Sequence, residues 1–325
     1  MKGKKEYAIL AVVIVALGLY LFSRNTDRTT YTLPELPAVK TQDLTKIEIG
    51  KGNRTVVLTR KDDGWLVAPG DYPADGNLVD RMLDALADLK VTALVSETRN
   101  YSRYELDENQ QIRVTAYQDD KAVRSFRIGK AAETMRHTHI TLSDDPNVYH
   151  AQGNFRQDFD HTVDDLRDKT VLAFEKEDVR EYSITTEGKT VTITKTTSTP
   201  APEGENAATD EAPEKATAVE WKTDDGRTVA TDAVQRLLAD LSGLKCRTYL
   251  TDRAKTDFAD PAFLIRINGA AESVLEIFDP ADETATEVPA RSSLRQDPFT
   301  LSDFDIDPVK DFLTSLEDAG DKPAP

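Results

Sequence analysis

Four histidines, His137, His139, His150 and His161, crowd into one short window of a chain that has no others. Imidazole is the commonest metal-ligating side chain, and it titrates nearest to neutral pH, so such a window invites metal binding or acid–base chemistry. On a β-strand, His137 and His139 share one face, as two ligands of one metal can. Asp144 and Asp145 follow closely. The spacing fits no standard zinc pattern, and no cysteine supports it. An exposed strand face with polar residues explains the four more simply. They stand as candidates, and no metal ligand is assigned.

Other chemistry-bearing residues resolve into structure. Asp303, Asp305 and Asp307 alternate as in a calcium loop. The sixth position, which needs glycine, is Pro308, and the twelfth, which needs a bidentate Glu, is Thr314, so an EF-hand fails. The acid pairs within 62–64 and 224–226 each precede a glycine and read as turns. Cys246, at the end of a helical repeat, reads as a small buried hydrophobe. Trp65 and Trp221 fall at matching places in the two halves and read as core anchors. There is no G-x-S-x-G, P-loop, H-E-x-x-H or dinucleotide fingerprint. No catalytic residue and no cofactor is assigned, and the chain reads as a non-enzyme.

The elements that must carry these residues are legible from pattern. The chain has 325 residues and a net charge of −17. That length serves two domains, each with its own core. The charge argues against nucleic-acid binding, which needs a basic face. One cysteine excludes an intrachain disulfide framework.

The N-terminus reads as an uncleaved membrane anchor. Lys2, Lys4 and Lys5 precede an uncharged apolar run from Tyr7 to Phe22. Its length is about 24 Å as a helix, slightly short of a hydrocarbon core. Tyr7, Tyr20 and Phe22 are its anchor residues, with Lys5 and Arg24 able to snorkel. No small-x-small cleavage site follows. The lysines place the N-terminus in the cytoplasm and the bulk of the chain outside it, in a periplasm where one exists.

The rest repeats itself. Residues 1–24 form the cytoplasmic stub and anchor, and 25–42 a polar, proline-containing tether. Residues 43–175 form one α+β unit and 176–319 a second, each a mostly antiparallel sheet packed on an amphipathic helix. Residues 320–325 are a flexible tail. "VDRMLDALADLK" at 79–90 returns as "VQRLLADLSGLK" at 234–245, and the strands around each helix recur in the same order. The leucines follow from burial on one face. Arg81, Lys90, Arg236 and Lys245 are the shared polar positions that burial leaves over, and they mark a possible interaction surface. The second unit adds residues 197–217, rich in Pro, Ala, Glu and Thr, which are expected to be disordered.

"YELDENQQIRV" at 104–114 and "LRDKTVLAF" at 166–174 resemble motifs of the bacterial family called domain of unknown function 4340, with Glu105 standing where that family usually has glycine. The resemblance covers nearly the whole chain. It implies a neighbourhood rather than an activity: members accompany ABC transporters of the gliding-motility or auxiliary-export type, with a permease or a GldG-like extracytoplasmic subunit as partner. The expected function is therefore a membrane-anchored extracytoplasmic scaffolding or binding subunit of such a system. The alternatives are a metal-dependent hydrolase using the His137–His161 window, or a free-standing envelope structural protein.

Overall fold

A computed structural model describes residues 3–24, 31–62, 64–198, 218–280, 282 and 284–320. Among these the chain is a mixed α/β protein with two antiparallel sheets and six α-helices. It divides into two compact units, Met1–Val163 and Asp164–Pro325.

Helix α1 spans Gly3–Arg24. Its described side chains, Tyr7 and residues 10–20, are all exposed. Among the described residues no helix is long and apolar enough to cross a membrane. The side chain of Phe22 lies outside the described set, as do residues 25–30 of the tether, 199–217 of the insertion and 321–325 of the tail.

The first unit contains β1 (Lys46–Lys51), β2 (Arg54–Lys61), β3 (Gly64–Ala68), β4 (Tyr72–Pro73), α2 (Gly76–Ala87), β5 (Val91–Ser96), β6 (Ile112–Gln118), β7 (Lys121–Ala131), β8 (His137–Leu142), β9 (Asp145–Gln152), and the short helix α3 (Arg156–Phe159). The sheet order is β4-β3-β2-β1-β6-β7-β8-β9-β5. Alternation sets the faces: Ile47 and Ile49, Val56 and Leu58, Ile112 and Val114, and Phe126 and Ile128 all turn inward. Helix α2 starts on Asp75, whose carboxylate accepts the N–H groups of Asn77 and Leu78. It buries Val79, Met82, Leu83 and Leu86, each contributing about 2 kcal/mol.

The second unit opens with α4 (Val163–Leu166), whose first residue ends the unit before. It continues with β10 (Glu181–Thr186), β11 (Lys189–Ser198), β12 (Ala218–Thr223), β13 (Thr228–Val229), α5 (Thr231–Leu241), β14 (Phe263–Asn268), β15 (Glu272–Ile277), β16 (Glu287–Ser292), β17 (Phe299–Ser302) and α6 (Asp303–Gly320). The order is β13-β12-β11-β10-β14-β15-β16-β17. Residues 245–250 run beside β17, where Arg247 N–H donates to Thr300 O, Thr300 N–H to Thr248 O, and Leu250 N–H to Pro298 O. They hold the place that β5 holds beside β9. The two units thus share one topology, and their ladders align residue by residue. Ile47, between Leu58 and Ala116, answers Tyr182, between Ile193 and Ile267.

Three details differ from what the pattern alone predicts. Residues 164–174 join the second unit, where Val171 and Leu172 enter the core. Trp221 is fully buried against Tyr182, but Trp65 is only half-buried beside Arg60. Asp303, Asp305 and Asp307 lie in the first turns of α6 rather than in a loop, and Asp305 accepts both the N–H and the hydroxyl of Ser302. That use as a helix cap occupies the carboxylate a cation site would need.

Candidate functional site: a histidine cluster on the first sheet

Strand register brings three of the four histidines together. In the β8–β9 hairpin, His139 stands directly opposite His150. Thr138 and Ile140 turn to the core, so His137 and His139 occupy the other face of β8. The His139 and His150 rings lie 4.7 Å apart at 65°, with Nε2 to Nε2 3.2 Å. The His137 ring stacks on His150 at 5.4 Å and 25°.

Two neighbouring features hold His139 in place. Strand β7 carries a bulge between Ile128 and Ala131, and bulges re-aim backbone groups. The Lys130 carbonyl there lies 2.9 Å from His139 Nδ1. The turn Tyr101–Tyr104 packs across Gly129 so closely that a Cβ on that glycine would sit 2.2 Å from the Tyr104 carbonyl oxygen. This close approach places the Tyr104 ring 5.0 Å from that of His139.

These contacts assign the protons. A carbonyl only accepts, so His139 carries its N–H on Nδ1 and keeps a lone pair on Nε2. His150 then donates its Nε2–H to that lone pair. Burial lowers the pKa of His139 most, with the Lys130 carbonyl opposing in part. Burial also lowers that of His150, reinforced by the charges of His139 and His137. Both shifts favour the neutral imidazole.

The remaining candidates lie elsewhere. His161 sits after α3, with its Nε2 buried and without a hydrogen-bond partner among the described residues. Asp145 closes the far end of the hairpin opposite Leu142, where it accepts the Tyr149 hydroxyl at 2.6 Å. Among the described residues no group of three or more His, Cys, Asp and Glu is placed to hold a metal ion. The four shared cations are used differently in the two units. Arg81 pairs with Asp158 at 3.2 Å, whereas Arg236 donates to the Asp232 carbonyl of its own helix. Lys90 and Lys245 are exposed and use their backbones, Lys90 to accept from Gln152 and Lys245 to bridge Thr170. Cys246 is buried in the second core, and burial pushes its thiol up to about 11, far from a nucleophile's range.

The second unit has a polar cluster that the sequence did not reveal. Arg167 is buried, donates to Asp297 at 2.7 Å, and lies over the Tyr249 ring at 3.6 Å. The Tyr249 hydroxyl donates to the Asp168 carbonyl at 2.6 Å. Arg295 pairs with Asp168 and donates to the Thr170 carbonyl, and Lys169 pairs with Asp164. Arg167 and Asp168 thus fasten this segment to Tyr249 and to the chain just before β17, while Lys169 ties back to Asp164 within the segment.

The family model "Domain of unknown function (DUF4340)" matches residues 65–261, more than half of the chain. The chain belongs to the DUF4340 family. The matched stretch includes the histidine cluster, the "LRDK" segment and residues 245–250. Comparison with curated proteins and with solved structures found no match. The backbone here also bears on Glu105. Its φ is +55°, the left-handed region where glycine is free and other residues are strained. The turn it closes is the one that carries Tyr104 over Gly129.

Proposed function

We propose that this DUF4340 chain is a membrane-anchored, extracytoplasmic accessory subunit of an ABC-type transport system, working as a scaffold or binding module rather than as an enzyme. Helix α1 carries the reading. Its described residues are almost all apolar and all exposed. A water-soluble chain rarely leaves so continuous an apolar surface open, and a bilayer would cover it. Lys2, Lys4 and Lys5 before the run orient it with the N-terminus in the cytoplasm. The whole run from Tyr7 to Phe22 reaches a span with help from its flanking tyrosines and cations. The negative charge of the remainder suits an extracytoplasmic protein with protein partners and no nucleic acid. Two separate sheets supply edge strands, β4 and β5 in the first and β13 in the second, and such edges accept partner strands. The transporter link itself draws on the family resemblance.

The test is purification of the full-length chain in mild detergent. An ABC permease or a GldG-like subunit recovered in stoichiometric amount supports the reading. Extraction into the soluble fraction without detergent, or no membrane partner in several detergents, rejects it.

A further inference from the structure

We infer that His139 and His150 bind one divalent transition-metal ion, of the zinc, copper(II) or nickel class, through their two Nε2 atoms. Two ligands of a tetrahedral ion at about 2.0–2.1 Å lie about 3.3 Å apart, and two cis ligands of a tetragonal copper(II) or nickel(II) ion about 2.9 Å apart. The observed Nε2–Nε2 separation is 3.2 Å. A metal can therefore replace the shared proton with little movement of either strand. His139 already has the tautomer a ligand needs. Its Nδ1–H is committed to the Lys130 carbonyl, which is the outer hydrogen bond that orients ligating histidines and raises their basicity. His150 offers its lone pair once its proton moves from Nε2 to Nδ1 by exchange with water. An all-imidazole donor set selects borderline metals over calcium or magnesium. With two protein ligands, the other positions fall to water or to a group from outside, which the half-buried His150 leaves within reach.

The duplication argues that these histidines are not there for the fold. Ladder pairing equates His137, His139 and His150 with Glu287, Pro289 and Thr300 in the second sheet. Ile140 opposite Tyr149 matches Ala290 opposite Phe299, which fixes the alignment. The second unit builds the same hairpin with no imidazole at all. Thr300 and Glu287 simply hydrogen-bond there at 2.6 Å. Burial needs would have been met without histidine, yet the first unit places three together.

The inference is independent of the transporter reading. Its test uses the metal-stripped full-length protein in detergent, titrated with copper(II) or zinc alone. One equivalent of copper(II) is expected, with an electron paramagnetic resonance spectrum showing two imidazole nitrogens. His150→Thr installs the residue that the second hairpin tolerates, so the fold should survive, as an unchanged circular dichroism melt would verify. It should weaken binding at least about tenfold and remove one nitrogen. His139→Gln should do the same, while His137→Gln and His161→Gln should leave affinity within about threefold. The inference fails if the wild type binds no stoichiometric metal. It also fails if His150→Thr and His139→Gln bind as the wild type does, or if the loss follows His137 or His161 instead.

Discussion

Replacing Arg167 by alanine should unfold the second unit far more easily. Arg167 is 5% exposed, and its guanidinium donates to Asp297 at 2.7 Å and stacks on Tyr249 at 3.6 Å. Removing one member of a buried ion pair costs about 3–5 kcal/mol. Asp297 is itself about a quarter exposed, so water can re-solvate it, and the low end of that range applies. A desolvated cation–π contact adds about 1–2 kcal/mol. The total is about 4 kcal/mol, a fall in melting temperature of roughly 8–16 °C for a unit of this size. Trp221 is fully buried in that unit, so its fluorescence in a Trp65→Phe background reports this transition and not that of the first unit. Arg167→Lys keeps the charge but loses the planar stack and the fork, so an intermediate loss of about 2 kcal/mol is expected. The Arg167→Ala, Asp297→Ala double mutant should recover at least about 1 kcal/mol relative to the sum of the singles. If Arg167→Ala costs under about 1 kcal/mol, the cluster is not the fastening described above.

Three further outcomes follow from the first unit. Glu105→Gly should be neutral or stabilising by up to about 1 kcal/mol, because it relieves a left-handed φ and loses only a long ion pair to Arg156; Glu105→Val should cost about 1–2 kcal/mol, and thermal melts decide. Gly129→Ala should cost about 3 kcal/mol or more, since its Cβ meets the Tyr104 backbone and not a flexible side-chain end; it should also shift the His139 ring resonances as Tyr104 moves. The third concerns pH in the metal-free protein. His139 and His150 have lowered folded-state pKa values, so their contribution is fully present above the unfolded-state value near about 6.5. It is lost as the pH falls from there through the folded values, because the unfolded chain takes protons first. Denaturant titrations from pH 8 to 5 should show this slope in the wild type and a shallower one in His139→Gln, His150→Thr. Equal slopes would refute it.

Much of the architecture was legible because it is local. Helical periodicity exposed Val79, Met82, Leu83 and Leu86 in one unit and Val234, Leu238 and Leu241 in the other. Both sets are buried on one face. Strand alternation and turn acids placed the hairpins, and the recurrence of the order exposed the duplication. The family motifs were visible too, but not their work. Glu105 looked like a departure from the family's pattern, and only its φ of +55° shows that the position favours glycine. The "LRDK" segment looked like the close of the first repeat, because nothing local says that Val171 and Leu172 enter the second core.

What the sequence alone determined is therefore the content of each element: which face of each helix and strand turns inward, how charge is distributed, and that one plan is written twice. Tertiary structure alone decided which distant residues meet. His137 and His139 share a face by strand period, a local rule, but the pairing of His139 with His150 depends on hairpin register. The Lys130 carbonyl reaches His139 only through a bulge, and Tyr104 only through the close approach at Gly129. Arg167 meets Asp297 across 130 residues of chain. Such contacts arise when strands order side by side in a sheet, and the order of strands in space is not their order in sequence. A window of residues carries the first kind of information and cannot carry the second.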